Sequence, residues 1–462
     1  MKRGSIKKRF DPKFLLHGGH QLLSNIRSVM LGSLTLKEPE YGSGSRATPI
    51  NSPSDIKYIR ITDFSDDGIP PNHEFVTAET VEDKYTLEHE DILFARSGAT
   101  AGKTFIYTAD IGEAIFAGYC IRFQFDCMKV IPKFVYFYTK TRRYQSWVNS
   151  IQRPSGQPNI NKEEFKSFTI PIPPLEVQRS LVAEIEAARQ TRKQKLAQAD
   201  ELLLSIDTYL LEQVGLNIFN KLDAGDEDAP QCFAIRRADI DGKLDLTYNS
   251  PLTQKKLKGL ESGNFQLVQL KSLISPLKGI RYGTSTPPPI LERSEDTVPF
   301  IRATDIKNGE ILTKNLLHIN VVQDEKMNKC LLEVGEMILV RSGVNTGDCA
   351  VVPDFLAGSY AAYDLILQFG NEVIPSFVSA FLHTKAGRTQ LNLLKARSAQ
   401  PHLNAEEVSS IKIPKPPISF QQLVVVEIEK RRAEAQQLRQ EAETEWEASK
   451  IRFERKLLGE EA

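Results

Sequence analysis

Gln157-Pro158-Asn159-Ile160-Asn161-Lys162-Glu163-Glu164 is read again at Gln400-Pro401-His402-Leu403-Asn404-Ala405-Glu406-Glu407, 243 positions later (400 − 157). Working outward from it finds further pairs in the same order. Ile170-Pro171-Ile172-Pro173-Pro174 returns as Ile413-Pro414-Lys415-Pro416-Pro417, and Pro132-Lys133-Phe134-Val135 as Pro375-Ser376-Phe377-Val378, both at 243. The run from Asp91 to Arg96-Ser97-Gly98 returns as Glu336 to Arg341-Ser342-Gly343 at 245 (341 − 96), and Tyr58-Ile59-Arg60-Ile61-Thr62-Asp63 as Phe300-Ile301-Arg302-Ala303-Thr304-Asp305 at 242 (302 − 60). Tyr41-Gly42 matches Tyr282-Gly283 at 241 (282 − 41). Ordered blocks that drift by only a few residues mark a two-fold duplication of whole domains rather than a short-period solenoid. Each copy is long enough to bury its own core.

The copies read alike. Tyr58–Ile61 and Asp91–Ala95 are expected as short strands, rich in Ile, Phe and Tyr. Ile121, Phe123 and Phe125 alternate with Arg122 and Gln124, which predicts a half-buried strand. Pro132 to about Asn149 reads as one helix with proline in its first turn. Asn161 with Glu164, and Asn404 with Glu407, have capping-box spacing. The Pro-rich strips that follow fit neither a central strand nor a helix interior.

After each strip the period changes. Leu175 to about Leu216 places Leu181, Ile185, Leu196, Leu203, Ile206 and Leu210 on a narrow seam among charged residues, and Ile418 to about Leu458 repeats this with Ile428, Leu438, Trp446 and Leu457. That is the pattern of two long amphipathic helices forming a coiled coil, about 60 Å long at ~1.5 Å per residue. Related by a pseudo-two-fold axis, they would run antiparallel. The expected fold class is therefore α+β: two tandem mixed α/β domains, residues 1–174 and 217–417, with long helices at 175–216 and 418–462. A polar, acidic stretch from Asn220 to Pro230 marks the linker into the second half.

Composition excludes several classes. Lys plus Arg and Asp plus Glu both total 59 among 462 residues, so the chain is neither a basic nucleic-acid coat nor an acidic disordered segment. A local basic groove remains compatible with zero net charge. No apolar run has the length of a membrane span, and no apolar segment follows the basic start, so no membrane and a cytoplasmic location are expected. Five cysteines without CxxC spacing argue against a disulfide framework or structural zinc.

Catalytic patterns are missing. Gly98-Ala-Thr-Ala-Gly102-Lys103-Thr104 has three residues between its glycines where a phosphate loop needs four. The second copy, Gly343-Val-Asn-Thr-Gly347-Asp348, lacks the lysine. The seven histidines show no metal-ligand spacing, and no carboxylate pair stands out as an acid and base.

The duplication serves as an internal comparison. If the two domains read different ligands, shared residues are scaffold or contacts common to both, such as phosphates. Arg96 and Arg341, at a strand end beside a glycine turn, are phosphate candidates. Arg60 and Arg302 have a plainer reading, pairing with Asp63 and Asp305. Tyr41 and Tyr282, the latter beside Thr284, suit either a packed turn or a groove contact. Gln157 and Gln400 suit either loop bracing or a base edge. Base readers should lie where the copies differ: Arg46, Asn72, His73, Lys103, Arg142 and Arg143 in the first, Arg281, Lys307, Asn308, Asn345, Arg388 and Lys395 in the second. Arg and Lys suit guanine, Asn suits adenine. Any one of these is more often a solvated surface residue.

The ordered set, occurring twice, resembles the specificity subunit of type I restriction–modification enzymes: a YIR-x-x-D-like strand, a Q-P-x-[IL]-N loop, an I-P-x-P-P strip, and a long helix carrying Gln178 or Gln421. Arg9 to Phe14 and Leu244 to Tyr248 resemble the openings of its two target-recognition domains. The resemblance implies a non-catalytic subunit whose domains each read half of a bipartite, asymmetric DNA site. It implies helices that set the unread gap and dock two methyltransferase subunits, which use S-adenosylmethionine; the chain itself needs no cofactor or metal. It implies a restriction subunit as a further partner, and helix residues such as Leu181, Ile185, Ile206, Ile428, Leu438 and Trp446 as partner contacts. Three readings stand beside it: a non-DNA coiled-coil scaffold with two protein-binding domains, the same architecture in another methylation-linked defence system, and an enzyme with an unrecognised site.

Overall fold

A computed structural model describes residues 26–65, 74–151, 158–222, 234–235, 246–321, 324–395 and 402–459. The chain divides into two compact units, Met1–Ala197 with Leu438–Ala462, and Gln198–Gln437.

The first unit is built on two four-stranded sheets. One runs Glu40–Tyr41, Cys120–Phe123, Ile92–Ala95, Thr104–Ile106, antiparallel throughout. The other runs Ala47–Pro49, Val76–Ala78, Lys57–Ile59, Ala114–Phe116, and its last pair is parallel. Two differences from the sequence reading have physical causes. The Cys120–Phe123 strand is buried on both faces. Its Arg122 is tolerated there because it meets Glu40 at 2.6 Å, Asp91 at 3.7 Å and the Thr86 carbonyl at 2.7 Å. The segment after Pro132 is two helices, Pro132–Tyr138 and Arg142–Ile151. The break falls where the Thr139 and Thr141 hydroxyls turn back to the Tyr136 and Tyr138 carbonyls, at 2.6 and 2.7 Å.

The second unit repeats the plan. One sheet runs Ile280–Tyr282, Leu365–Leu367, Met337–Leu339, Cys349–Val351, and another runs Leu317–Asn320, Thr297–Ile301, Tyr360–Ala361, again with its last pair parallel. In each unit the Pro-rich strip forms one strand of an isolated antiparallel pair, Thr169–Pro171 on Ser28–Met30 and Lys412–Pro414 on Leu267–Gln269. Proline sits at the strand end, where its missing donor costs little.

The long helices are Leu175–Gln213 and Ile418–Leu458. They are not segments apart from the domains: each contributes one half to each unit. Leu181, Val182 and Ile185 share a core with Trp446, Phe453 and Leu457 in the first unit, and Leu210, Leu211 and Val214 share one with Val424, Val425 and Ile428 in the second. Ion pairs within the first unit fix an antiparallel sense: Glu184 with Lys456 at 2.7 Å, Arg192 with Glu443 at 2.6 Å, and Lys195 with Glu441 at 3.1 Å. In the second unit Arg431 donates to the Ser205 hydroxyl at 2.9 Å and lies over the Tyr209 ring.

Each helix starts on a buried glutamine. Gln178 accepts from the Ile131 amide at 2.9 Å and donates to the Pro173 carbonyl at 2.8 Å. Gln421 accepts from the Ile374 amide at 2.8 Å and donates to the Pro416 carbonyl at 2.8 Å. These side chains tie the strip and the long helix's start to the entry of an earlier helix, Pro132–Tyr138 or Pro375–His383.

Candidate nucleic-acid interface

The repeated capping boxes form as the spacing predicts. Asn161 accepts from the Glu164 amide at 2.9 Å while the Glu164 carboxylate accepts from the Asn161 amide at 2.9 Å; Asn404 and Glu407 do the same at 2.9 and 3.1 Å. They cap the short helices Lys162–Ser167 and Ala405–Ser409. At each helix start the first amide, Lys162 or Ala405, donates to a tyrosine hydroxyl: Tyr41 at 3.3 Å, Tyr282 at 3.1 Å. On each tyrosine ring lies an arginine, Arg96 at 4.8 Å and Arg341 at 4.7 Å from the ring centre. Backbone bonds close the junction, with Ile160 donating to the Arg96 carbonyl and Leu403 to the Arg341 carbonyl, both at 2.8 Å. Each unit thus holds an arginine on a tyrosine anchored to a capped helix. Both tyrosines stay about two-fifths exposed, at 39% and 41%.

The two arginines differ in their further partners. Among the described residues no acceptor holds the Arg96 guanidinium; the Nε of both arginines is buried without a partner. Arg341 is also stacked on Tyr363, 4.4 Å from that ring centre, and touches His402 Nε2. Its amide donates to Asp364 at 3.1 Å. Burial pushes the Asp364 carboxyl up to about 6 against that bond. The sequence reading missed Tyr363: by strand register it answers to Tyr119 of the first unit (363 − 119 = 244, as 365 − 121 for the strands opposite Tyr282 and Tyr41), and Tyr119 is 64% exposed.

The glycine turn is no phosphate cradle. Gly98, Gly102, Gly343 and Gly347 take φ of 74°, 89°, 94° and 86°. At Gly102 a Cβ would also come within 2.5 Å of Val148. The turn amides are spent internally: Gly102 on the Ala95 carbonyl at 2.8 Å, Lys103 on Thr100 at 2.9 Å, Gly347 on Val340 at 2.8 Å, Asp348 on Asn345 at 2.9 Å. These four bonds tie each turn to its own strands and leave the arginines as the cationic groups of the junction.

The other candidates fall into distinct places. Arg60 and Arg302 pair with Asp63 and Asp305 at 3.1 and 2.9 Å, the scaffold reading. Arg281 is taken into the frame by an ion pair with buried Glu336 and a bond to the Lys329 carbonyl at 3.1 Å. Asn345 donates to the Ala303 and Ile306 carbonyls, both at 3.2 Å, and Thr284 closes a local turn on Thr286. Arg388 pairs with Asp348. Arg46 and Lys103 are exposed, and neither makes a side-chain bond among the described residues. Gln157, Gln400, Asn72, His73, the opening Arg9–Phe14 and most of the acidic linker lie outside the described residues.

The helix-seam residues need a correction of role. Leu181, Ile185, Ile428 and Trp446 are buried in this chain's own cores, and Ile206 and Leu438 are half-buried. The four buried side chains offer no surface to another chain, while Ile206 and Leu438 keep part of theirs. Among the described residues no helix is long and apolar enough to cross a membrane, and no group of His, Cys, Asp or Glu is arranged to hold a metal.

Comparison with known proteins agrees with this geometry. The type I restriction modification DNA specificity domain matches residues 43–198 and again 265–437, once per unit. The type I restriction enzyme EcoKI specificity subunit of Escherichia coli (strain K12) is 21% identical over 367 residues, covering 77% of this chain and 70% of that protein. The StySPI specificity subunit of Salmonella potsdam is 28% identical over 139 residues, 29% of this chain and 30% of that one. In three dimensions the chain resembles one from a structure concerned with complex assembly and conformational transition of the type I R-M system, at TM-score 0.52 and 15% identity, covering 95% and 98% of the two chains. The two matched segments together span more than half of the chain, which belongs to the family of type I restriction–modification DNA specificity proteins.

Proposed function

We propose that this chain is the DNA-reading subunit of a type I restriction–modification complex, each unit reading one half of a bipartite, asymmetric site. The observation that carries the reading is the Arg96–Tyr41 junction, repeated as Arg341–Tyr282. A guanidinium held on a ring loses little freedom on binding and presents its remaining donors to a phosphate. A contact present in both units suits what is common to any duplex, the backbone. Sequence reading then falls to residues that differ between the units.

The chain supplies recognition and no chemistry; methyl transfer from S-adenosylmethionine to adenine belongs to partner methyltransferase subunits, and cleavage to a restriction subunit. Since the helix seams are internal, docking falls to apolar side chains on the outer faces of the same helices. Leu204, Leu423 and Val426, all more than 60% exposed, are the candidates in the second unit. The length of the helices sets the gap between the half-sites.

The test is co-expression with the methyltransferase subunits of the same system, followed by mapping of N6-methyladenine. The expected result is one split motif with a constant gap, and a shorter gap when one heptad is deleted from both helices. A stable complex without new methylation overturns DNA reading, and absence of any complex overturns docking. Duplex affinity that does not fall with salt favours the scaffold reading.

A further inference from the structure

The glycine turns beyond Arg96 and Arg341 share a backbone and differ at the tip. In the second unit Ser342 bridges to His402, the Thr346 hydroxyl donates to the Gly343 carbonyl at 2.6 Å, and the Gly347 amide donates to Val340 at 2.8 Å. Asn345 ties the turn to the Ala303 and Ile306 carbonyls. The backbone is braced, yet its tip residue Val344 is 105% exposed, and a Cβ at Gly343 would meet nothing within 4 Å. An isopropyl group held wholly in water contributes nothing to the fold. Scattered apolar residues are ordinary on a surface. This one stands on a tethered turn three positions from the stacked Arg341. The first unit has exposed Ala99 in the same place, between Gly98 and Gly102.

We propose that Val344 is a base-reading contact of the second unit, and that it packs against the 5-methyl group of a thymine in the major groove. The inference rests on the DNA-reading function above. With Arg341 on a phosphate, three residues span up to about 10 Å, enough to reach a groove about 12 Å wide. Valine has no donor or acceptor. The only apolar feature on a base edge there is the thymine methyl, and the minor groove shows none.

The experiment uses the complex with its methyltransferase subunits, as wild type and as Val344→Ala. Methylation mapping of the wild type supplies the motif. Duplexes carrying it are then made with each thymine in turn replaced by deoxyuridine, which removes only the methyl group. One replacement should weaken wild-type binding about fourfold, the value of one buried methyl-sized group, and leave V344A binding unchanged. Because the side chain is exposed, V344A should keep the wild-type melting profile. If no replacement separates the two proteins, Val344 does not read a thymine. If the wild-type complex methylates no split motif at all, the function reading itself fails.

Discussion

The buried glutamines allow a sharp test of how each unit is held together. Gln178 and Gln421 are 0% exposed; Gln178 makes two bonds and Gln421 three to main-chain groups that have no other partner described. Gln178→Leu keeps the volume and removes both bonds, leaving the Ile131 amide and the Pro173 carbonyl unpaired. Stranding two such groups costs about 1–3 kcal/mol each, so about 3 kcal/mol is a moderate expectation. With m of about 2 kcal/mol/M, the urea midpoint should fall by about 1.5 M. The chain offers a unit-specific reporter, since its two tryptophans, Trp147 and Trp446, both belong to the first unit. Tryptophan fluorescence should therefore shift in Gln178→Leu. In Gln421→Leu it should stay put while the far-ultraviolet circular dichroism transition moves. Two units need not unfold together, which is why two probes are required. No resolvable fluorescence shift in Gln178→Leu, or an equal one in Gln421→Leu, would refute the reasoning.

Two further outcomes follow from the structure. Arg96→Ala and Arg341→Ala should each weaken binding to all duplexes alike and flatten the slope of log affinity against log salt by about 0.9; Arg96→Lys should not restore it, because an ammonium does not stack as a guanidinium does, and a loss confined to one sequence would contradict a phosphate role. His383 is buried beside Arg388, Asp348, Arg432 and Cys349, and burial foremost holds it down at about 4. The unfolded chain takes up that proton near its ordinary value of about 6.5, so the second unit should lose stability as pH falls from there to about 4. Asp364, raised to about 6, works the other way over about 6 to 4. Urea titrations at several pH values should therefore show a flatter acid loss in His383→Gln than in wild type, with the Asp364 contribution common to both.

Much of the frame was legible because it is local or repeated. Capping boxes, glycine turns, Pro-rich strips and helix extents all follow from spacing within a few residues. Arg96 and Arg341 were legible because both copies keep them. Long-range pairings were not. Asp91 and Glu336 are equivalent buried acids, yet their arginines come from different strands. In the first unit the arginine is Arg122, on the strand opposite Glu40; in the second it is Arg281, on the strand opposite Ile366. The charge has moved across one strand pair, so neither arginine has a counterpart at the repeat offset. The sequence comparison therefore classed Arg281 as a variable reader. The helix seams misled in a related way: a 3.6-residue stripe shows that a face is buried, not by what.

That exchange limits what a difference between the copies means. A residue that differs can be a base reader, or half of a compensated swap that keeps the frame unchanged. Engagement separates the two. Arg281, Asn345 and Arg388 differ between copies and are each held by main-chain or carboxylate partners, so replacing them would disturb the frame before it touched a ligand. Arg46, Lys103 and the tip residues Ala99 and Val344 also differ, and are exposed. Selection on the fold does not account for these four side chains, because they are exposed and make no described bond. A reader that must change specificity while keeping its architecture needs such sites: variable, exposed, and carried on a backbone fixed by other residues. The turn beside the stacked arginine meets all three conditions in both units. Specificity should therefore be exchangeable there by substitution at the tip, whereas substitution at Arg281 should first lower stability.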